Sequence, residues 1–204
     1  MGWLARLLGK KPGFEAWWEI TGPTFSEQRM SEVIRDLSER LQRHQATKGE
    51  QILVVLYLAS TIVTGMFEDG LKQKARSFIS AVPELLRGLD PPVEVTEFSR
   101  MLSERAEGWT SGTRQSPESV GVWRRDIDEG KVSAMTDEHM NAFRGKKLRV
   151  FLPDYTGALA WMIAQQVHQL WQEGSRDEAV DVYETLTTLI ESNLEREGKL
   201  DLFE

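Results

Sequence analysis

Three histidines, His44, His139 and His168, are the chain's candidates for proton transfer or metal ligation. Helical metal sites place ligands three or four residues apart, so that they project from one face. No two of these histidines are so spaced, and no His-Glu-x-x-His or Glu-x-x-His arrangement occurs. The absence of cysteine removes thiolate ligation, disulfides and a cysteine nucleophile. Asp137-Glu138-His139 sets carboxylates beside an imidazole, but adjacent residues on a helix do not face each other. Acids near a helix start ordinarily meet the helix dipole. His168 lies within an apolar run and reads as a hydrogen-bonded core or boundary residue. The Gly108–Gly112 stretch lacks the Lys-Ser/Thr of a phosphate loop, and no Gly-x-Ser-x-Gly elbow is present. An enzyme or small-ligand reading therefore needs a site assembled from distant residues, with Arg124, Arg125, His139 and His168 as its candidates. No cofactor or metal is expected.

Two charged clusters bear on recognition instead. Trp123-Arg124-Arg125-Asp126-Ile127-Asp128-Glu129 is either an anion or docking site or a solvated helix with local ion pairs, and the second is the simpler expectation. Arg144, Lys146, Lys147 and Arg149 form a basic cluster that suits phosphate, a lipid headgroup, an acidic partner, or the acidic end of the same molecule. From Arg176 to Glu204 nine acids stand against three bases, so most of the net charge of −7 lies there. An acidic chain argues against nucleic acid, whose phosphates need a broad basic face.

The elements that must position these residues are helical. Met30, Val33, Ile34, Leu37 and Leu41 follow a three-four rhythm after Thr24-x-x-Glu27, which has capping-box spacing. The run 51–67 is apolar nearly all round and must be covered on several sides, so it reads as a core helix rather than a membrane span. Further helices are expected at 71–86, where Pro83 bends or shortens the helix, at 95–107, and, as short pieces, at 120–129 and 136–143. Residues 148–152 read as extended. Helices at 157–173 and 176–195 follow, the last opened by a second capping-box spacing, Ser175-x-x-Glu178. The expectation is an all-α bundle of seven or eight helices over residues 24–197, with a loop at 108–119.

Two helical hairpins share a rhythm, one breaking at Gly70 and one at Gly174. Aligning the glycines matches Val63 with Val167, Ala75 with Ala179 and Leu85 with Leu189. Leu170, Gly174, Ala179 and Tyr183 resemble the middle of a tetratricopeptide repeat, and Met66, Gly70, Ala75 and Ile79 repeat the spacing. The resemblance implies protein or peptide binding on a concave helical surface. It departs from the family where Val63 and Val167 replace the usual small residue and where Arg87 and Glu191 replace the closing proline.

Both ends carry adhesive residues. Residues 1–23 are an appendage with Trp3, Leu4, Leu7 and Leu8 on one helical face beside Arg6, Lys10 and Lys11, followed by Trp17 and Trp18. Such a segment packs on its own bundle, docks on a partner, or meets a membrane surface. The tail 198–204 is acidic and apolar and either caps the bundle or serves as a ligand. The functional expectation is a cytoplasmic, non-enzymatic adaptor or scaffold that binds another protein. Trp3, Leu7, Trp17 and Trp18, together with the basic cluster, are its contact candidates. A peripheral membrane protein anchored by residues 1–11 is the alternative.

Overall fold

The computed structural model describes residues 27–110, 122–145 and 152–203. Its elements are α1 (Glu27–Arg43), α2 (Lys48–Glu68), α3 (Lys72–Gly88), α4 (Val95–Thr110), α5 (Glu129–Gly145), α6 (Leu152–Gln172) and α7 (Arg176–Arg196). Short 3-10 turns stand at Val122–Arg124 and Leu200–Leu202. The chain is thus the all-α bundle expected, with no strand among the described residues.

Local chemistry fixes the ends. Thr47 caps α2: its Oγ1 accepts from the Glu50 amide at 3.2 Å while the Glu50 carboxylate accepts from the Thr47 amide at 2.8 Å. Ser175 makes no such cap on α7. Its amide is spent on the Leu170 carbonyl in the turn around Gly174, and its ψ of 56° is not the extended backbone a capping residue needs. The expected helix at 120–129 shrinks to one 3-10 turn. The expected short helix at 136–143 starts earlier, at Glu129, because the Asp128 carboxylate accepts from the Lys131 amide at 3.0 Å. Pro83 lies inside α3, which continues to Gly88. Of the expected extended stretch only Leu152 is described, and it opens α6.

The two hairpins are the same structure twice. Adding 104 to every number of Lys48–Glu68 gives Leu152–Gln172, the bounds of α6. Gly70 and Gly174 have φ of 81° and 82°, where a side chain would be strained. Around them the same bonds recur: Leu71 N to Met66 O and Ser175 N to Leu170 O, Ala75 N to Leu71 O and Ala179 N to Ser175 O. The repeat extends to the preceding helix, since adding 102 to Glu27–Arg43 gives Glu129–Gly145, the bounds of α5.

The two units, α1–α3 and α5–α7, pack reciprocally. α2 lies on α7 as α6 lies on α3, and α1 lies on α6 as α5 lies on α2. Reciprocal contacts of this kind are the signature of two-fold pairing, here within one chain. Tandem repeats would instead stack each hairpin on the next in sequence. The centre of the pairing is α2 against α6, with Val54, Val55, Leu56, Ala59, Leu159, Ile163 and Ala164 wholly buried. α2 is long and apolar enough to cross a membrane, yet most of it is covered by the other helices. The tail belongs to the bundle: the Phe203 ring sits 5.7 Å from Phe67 and Lys199 pairs with Glu68 at 2.9 Å.

Candidate functional site

Each central helix carries a buried acid in its first turn, and each acid takes a cation from the other unit. Glu50 of α2 receives Lys131 of α5 at 2.7 Å. Asp154 of α6, the counterpart of Glu50 at the 104 spacing, receives Arg29 of α1 at 2.5 Å. Lys131 is in turn the counterpart of Arg29 at the 102 spacing. The acids are 2% and 1% exposed, so each pair is an ionic lock at a helix N-terminus, where the backbone amides also favour negative charge. Burial pushes the Glu50 carboxyl up, but the Lys131 ammonium and the amides of Thr47 and Asp128 outweigh it, and the group lies below its ordinary value.

A second cluster joins α1 to α5. Glu138 accepts from Arg40 at 2.8 Å and Arg43 at 3.3 Å, and its other oxygen lies 2.7 Å from His44 Nε2. His44, then burial acting against it, then Arg40 set its carboxyl below the ordinary value. His139 is 1% exposed, stacks on Tyr155 with ring centres 5.6 Å apart, and has Nδ1 3.7 Å from Asp36. Burial, with Asp36 nearby, pushes the Tyr155 phenol up, so it stays neutral. Glu50 and Glu138 therefore contribute stability that is present above the ordinary carboxylate range, near pH 4.3, and lost as pH falls through their depressed values. Urea midpoints between pH 7 and pH 3 should fall less steeply in Glu50→Gln and Glu138→Gln than in the parent chain.

The third cluster is a strap. Residues 123–128 lead into α5, and the Trp123 indole donates to Asp181 Oδ2 of α7 at 2.8 Å. Arg124 donates to the same oxygen at 3.1 Å and also reaches Thr185 Oγ1. Arg105 of α4 donates to Asp181 Oδ1 at 3.2 Å and Glu184 at 2.9 Å. The strap backbone lies so close to α2 that a Cβ on Gly49 would collide with the Trp123 carbonyl. The expectation of local ion pairs here is thus corrected: Trp123 is buried, and Arg124 pairs across the fold.

The residues proposed for an assembled catalytic site are not brought together. Arg124 serves the strap and Arg125 is exposed. His139 lies between α1 and α6, and His168 Nε2 binds the Pro91 carbonyl at 2.8 Å, the boundary role expected of it. Among the described residues no cluster of three or more acids or histidines is arranged to hold a metal ion. The contact candidates Trp3, Leu7, Trp17, Trp18, Lys146, Lys147 and Arg149, and the Arg144 side chain, lie outside the described residues, as does the Thr24-x-x-Glu27 cap. Sequence reasoning passed over Arg29, Glu50, Arg105, Lys131, Asp154 and Asp181. Thr47-x-x-Glu50 was a readable signal of the same form as the two noted.

One open cleft of about 210 Å³ lies at the C-terminal ends of α2 and α7, lined by Thr61, Thr64, Glu68, Asn193, Arg196 and Glu197. It is the two-fold counterpart of the place where His168 and Gln172 hold the Pro91 carbonyl. No protein-family model matches this chain, and no curated protein and no solved structure shows significant similarity to it.

Proposed function

We propose that the protein is a non-catalytic interaction module, an adaptor or scaffold subunit that holds another protein through its helical surface and its aromatic N-terminal segment. The observation behind this reading is a division of labour between body and appendage. The body encloses its own apolar side chains, with Leu200 the one large apolar residue exposed among those described. Its ionisable side chains of sharpest interest are engaged in helix–helix pairing. Trp3, Leu7, Trp17 and Trp18 stand outside that body in the sequence, and tryptophan dominates binding hot spots.

The test is affinity capture from the native cells with the full-length chain and with Trp17→Ala/Trp18→Ala, both checked for unchanged helical content. The reading expects a partner whose recovery falls about tenfold or more in the variant. Equal recovery with both chains would remove the N-terminal tryptophans from the interface. Recovery of lipid vesicles but of no protein would favour the membrane-surface alternative instead.

A further inference from the structure

The two-fold pairing has one conspicuous break. On α7, Val180 and Asp181 are 0% and 4% exposed, and Arg105 of α4 and the Trp123 strap cover Asp181. Their counterparts on α3, Arg76 and Ser77, are exposed, and Ala81, the counterpart of Thr185, is half-exposed. On the central helix facing this side, Gly157 of α6 stands where α2 has Leu53. The groove between α3 and α6 is therefore the counterpart of the strap's seat, with Ser77, Ala81 and Gly157 smaller than Asp181, Thr185 and Leu53 and with no strap over it among the described residues; Arg76 at its side donates to the Phe203 carbonyl of the tail at 3.3 Å.

Charge says what fits it. α7 carries six acids and two bases, and its strap brings Trp123 with Arg124 and Arg125. α3 reverses this, with Lys72, Lys74, Arg76 and Arg87 against Glu84 alone. The strap leads into α5, and the segment leading into α1 is the chain's own residues 14–26. That segment contains Phe14-Glu15-Ala16-Trp17-Trp18-Glu19-Ile20, two tryptophans between two acids and no base. Charge is thus complementary on both sides, with opposite sign. Reach is sufficient as well. Trp123 finds its seat six residues before α5, whereas Trp18 has nine residues before α1, about 30 Å when extended.

We propose that the α3–α6 groove is a docking site for an acidic, tryptophan-bearing segment, and that residues 14–20 of the same chain are its occupant. Seated there, Trp17 and Trp18 are held from a partner until a competitor of the same chemistry displaces them. The proposal stands without the adaptor reading, since the docking needs no second protein.

The chain has no cysteine, so any disulfide reports introduced residues alone. In the full chain, Ala16→Cys/Ser77→Cys is oxidised mildly beside Ala16→Cys/Ser192→Cys, whose second site is an exposed position on α7. The expected result is an intrachain disulfide formed about tenfold faster in the first, and slowed to the control rate by adding Ala81→Glu, which sets bulk and a like charge against Glu15 and Glu19. Equal rates in the two chains would overturn the proposal. A disulfide-linked dimer in place of the intrachain bond would overturn it too, assigning the groove to the segment of a second copy. Ser77 and Ser192 are exposed, so neither cysteine disturbs the core.

Discussion

Replacing Asp181 with alanine is expected to cost about 3 kcal/mol, the low end for breaking a buried ion pair. The carboxylate is the one acceptor shared by Trp123, Arg124 and Arg105. Arg105 and Arg124 keep 27% and 38% of their side chains in water and can turn outward, which trims their part of the loss. The Trp123 indole is buried and cannot, so its N–H loses its partner outright. Asp181→Asn leaves the indole an acceptor and should cost about half as much. Ser77→Ala, the same position in the other unit, should stay within about 0.5 kcal/mol because Ser77 is exposed. Urea unfolding of the three variants decides the matter. An effect at Ser77 as large as that at Asp181 would mean the strap is not what distinguishes the two units.

The second large effect belongs to the ionic locks. Asp154→Ala and Glu50→Ala should each cost about 3 kcal/mol, because each breaks an ionic lock on a buried acid at the start of a central helix, and Glu50→Ala also removes half of the Thr47 capping box. The costs should be similar although the two sites differ in both residues, since each acid is almost wholly buried and meets its cation across the two units. Arg29→Ala should cost more than Asp154→Ala: it takes the cation from a carboxylate that is 1% exposed, whereas Asp154→Ala leaves an Arg29 side chain that is 37% exposed and can turn into water.

Much of the helix inventory was legible, because periodicity and glycine breaks are local signals. Gly70 and Gly174 announced the hairpins, and the apolar girth of 51–67 announced the central helix. The pairing of the units was not legible. The hairpins share four identities at the 104 spacing, Val63, Gly70, Ala75 and Leu85 with their counterparts, which any two hairpins of similar rhythm approach. α1 and α5 repeat at a different spacing, with two identities, Glu27 with Glu129 and Ser31 with Ser133, and with charge kept at Arg29 and Lys131 and at Asp36 and Glu138 but reversed at Arg35 and Asp137. Sequence spacing also misled at Ser175-x-x-Glu178. It matches Thr47-x-x-Glu50 in letters, but the glycine turn before it had already claimed the serine amide. The Asp181 cluster joins residues 58 and 76 positions apart, a separation at which no local pattern operates. The tetratricopeptide resemblance picked out the right turn residues, but a tandem stack is replaced here by two hairpins clasped face to face.

The most direct test of that clasp is a pair of double-mutant cycles in urea, one on Arg29 and Asp154 and one on Lys131 and Glu50, with Arg29 and Glu50 as a crossed control. Reciprocal pairing predicts a coupling of about 1–3 kcal/mol in each of the first two cycles and additivity within about 0.5 kcal/mol in the control. Additive effects within both native pairs, or a coupling between Arg29 and Glu50 as large as either, would contradict the pairing of the two units.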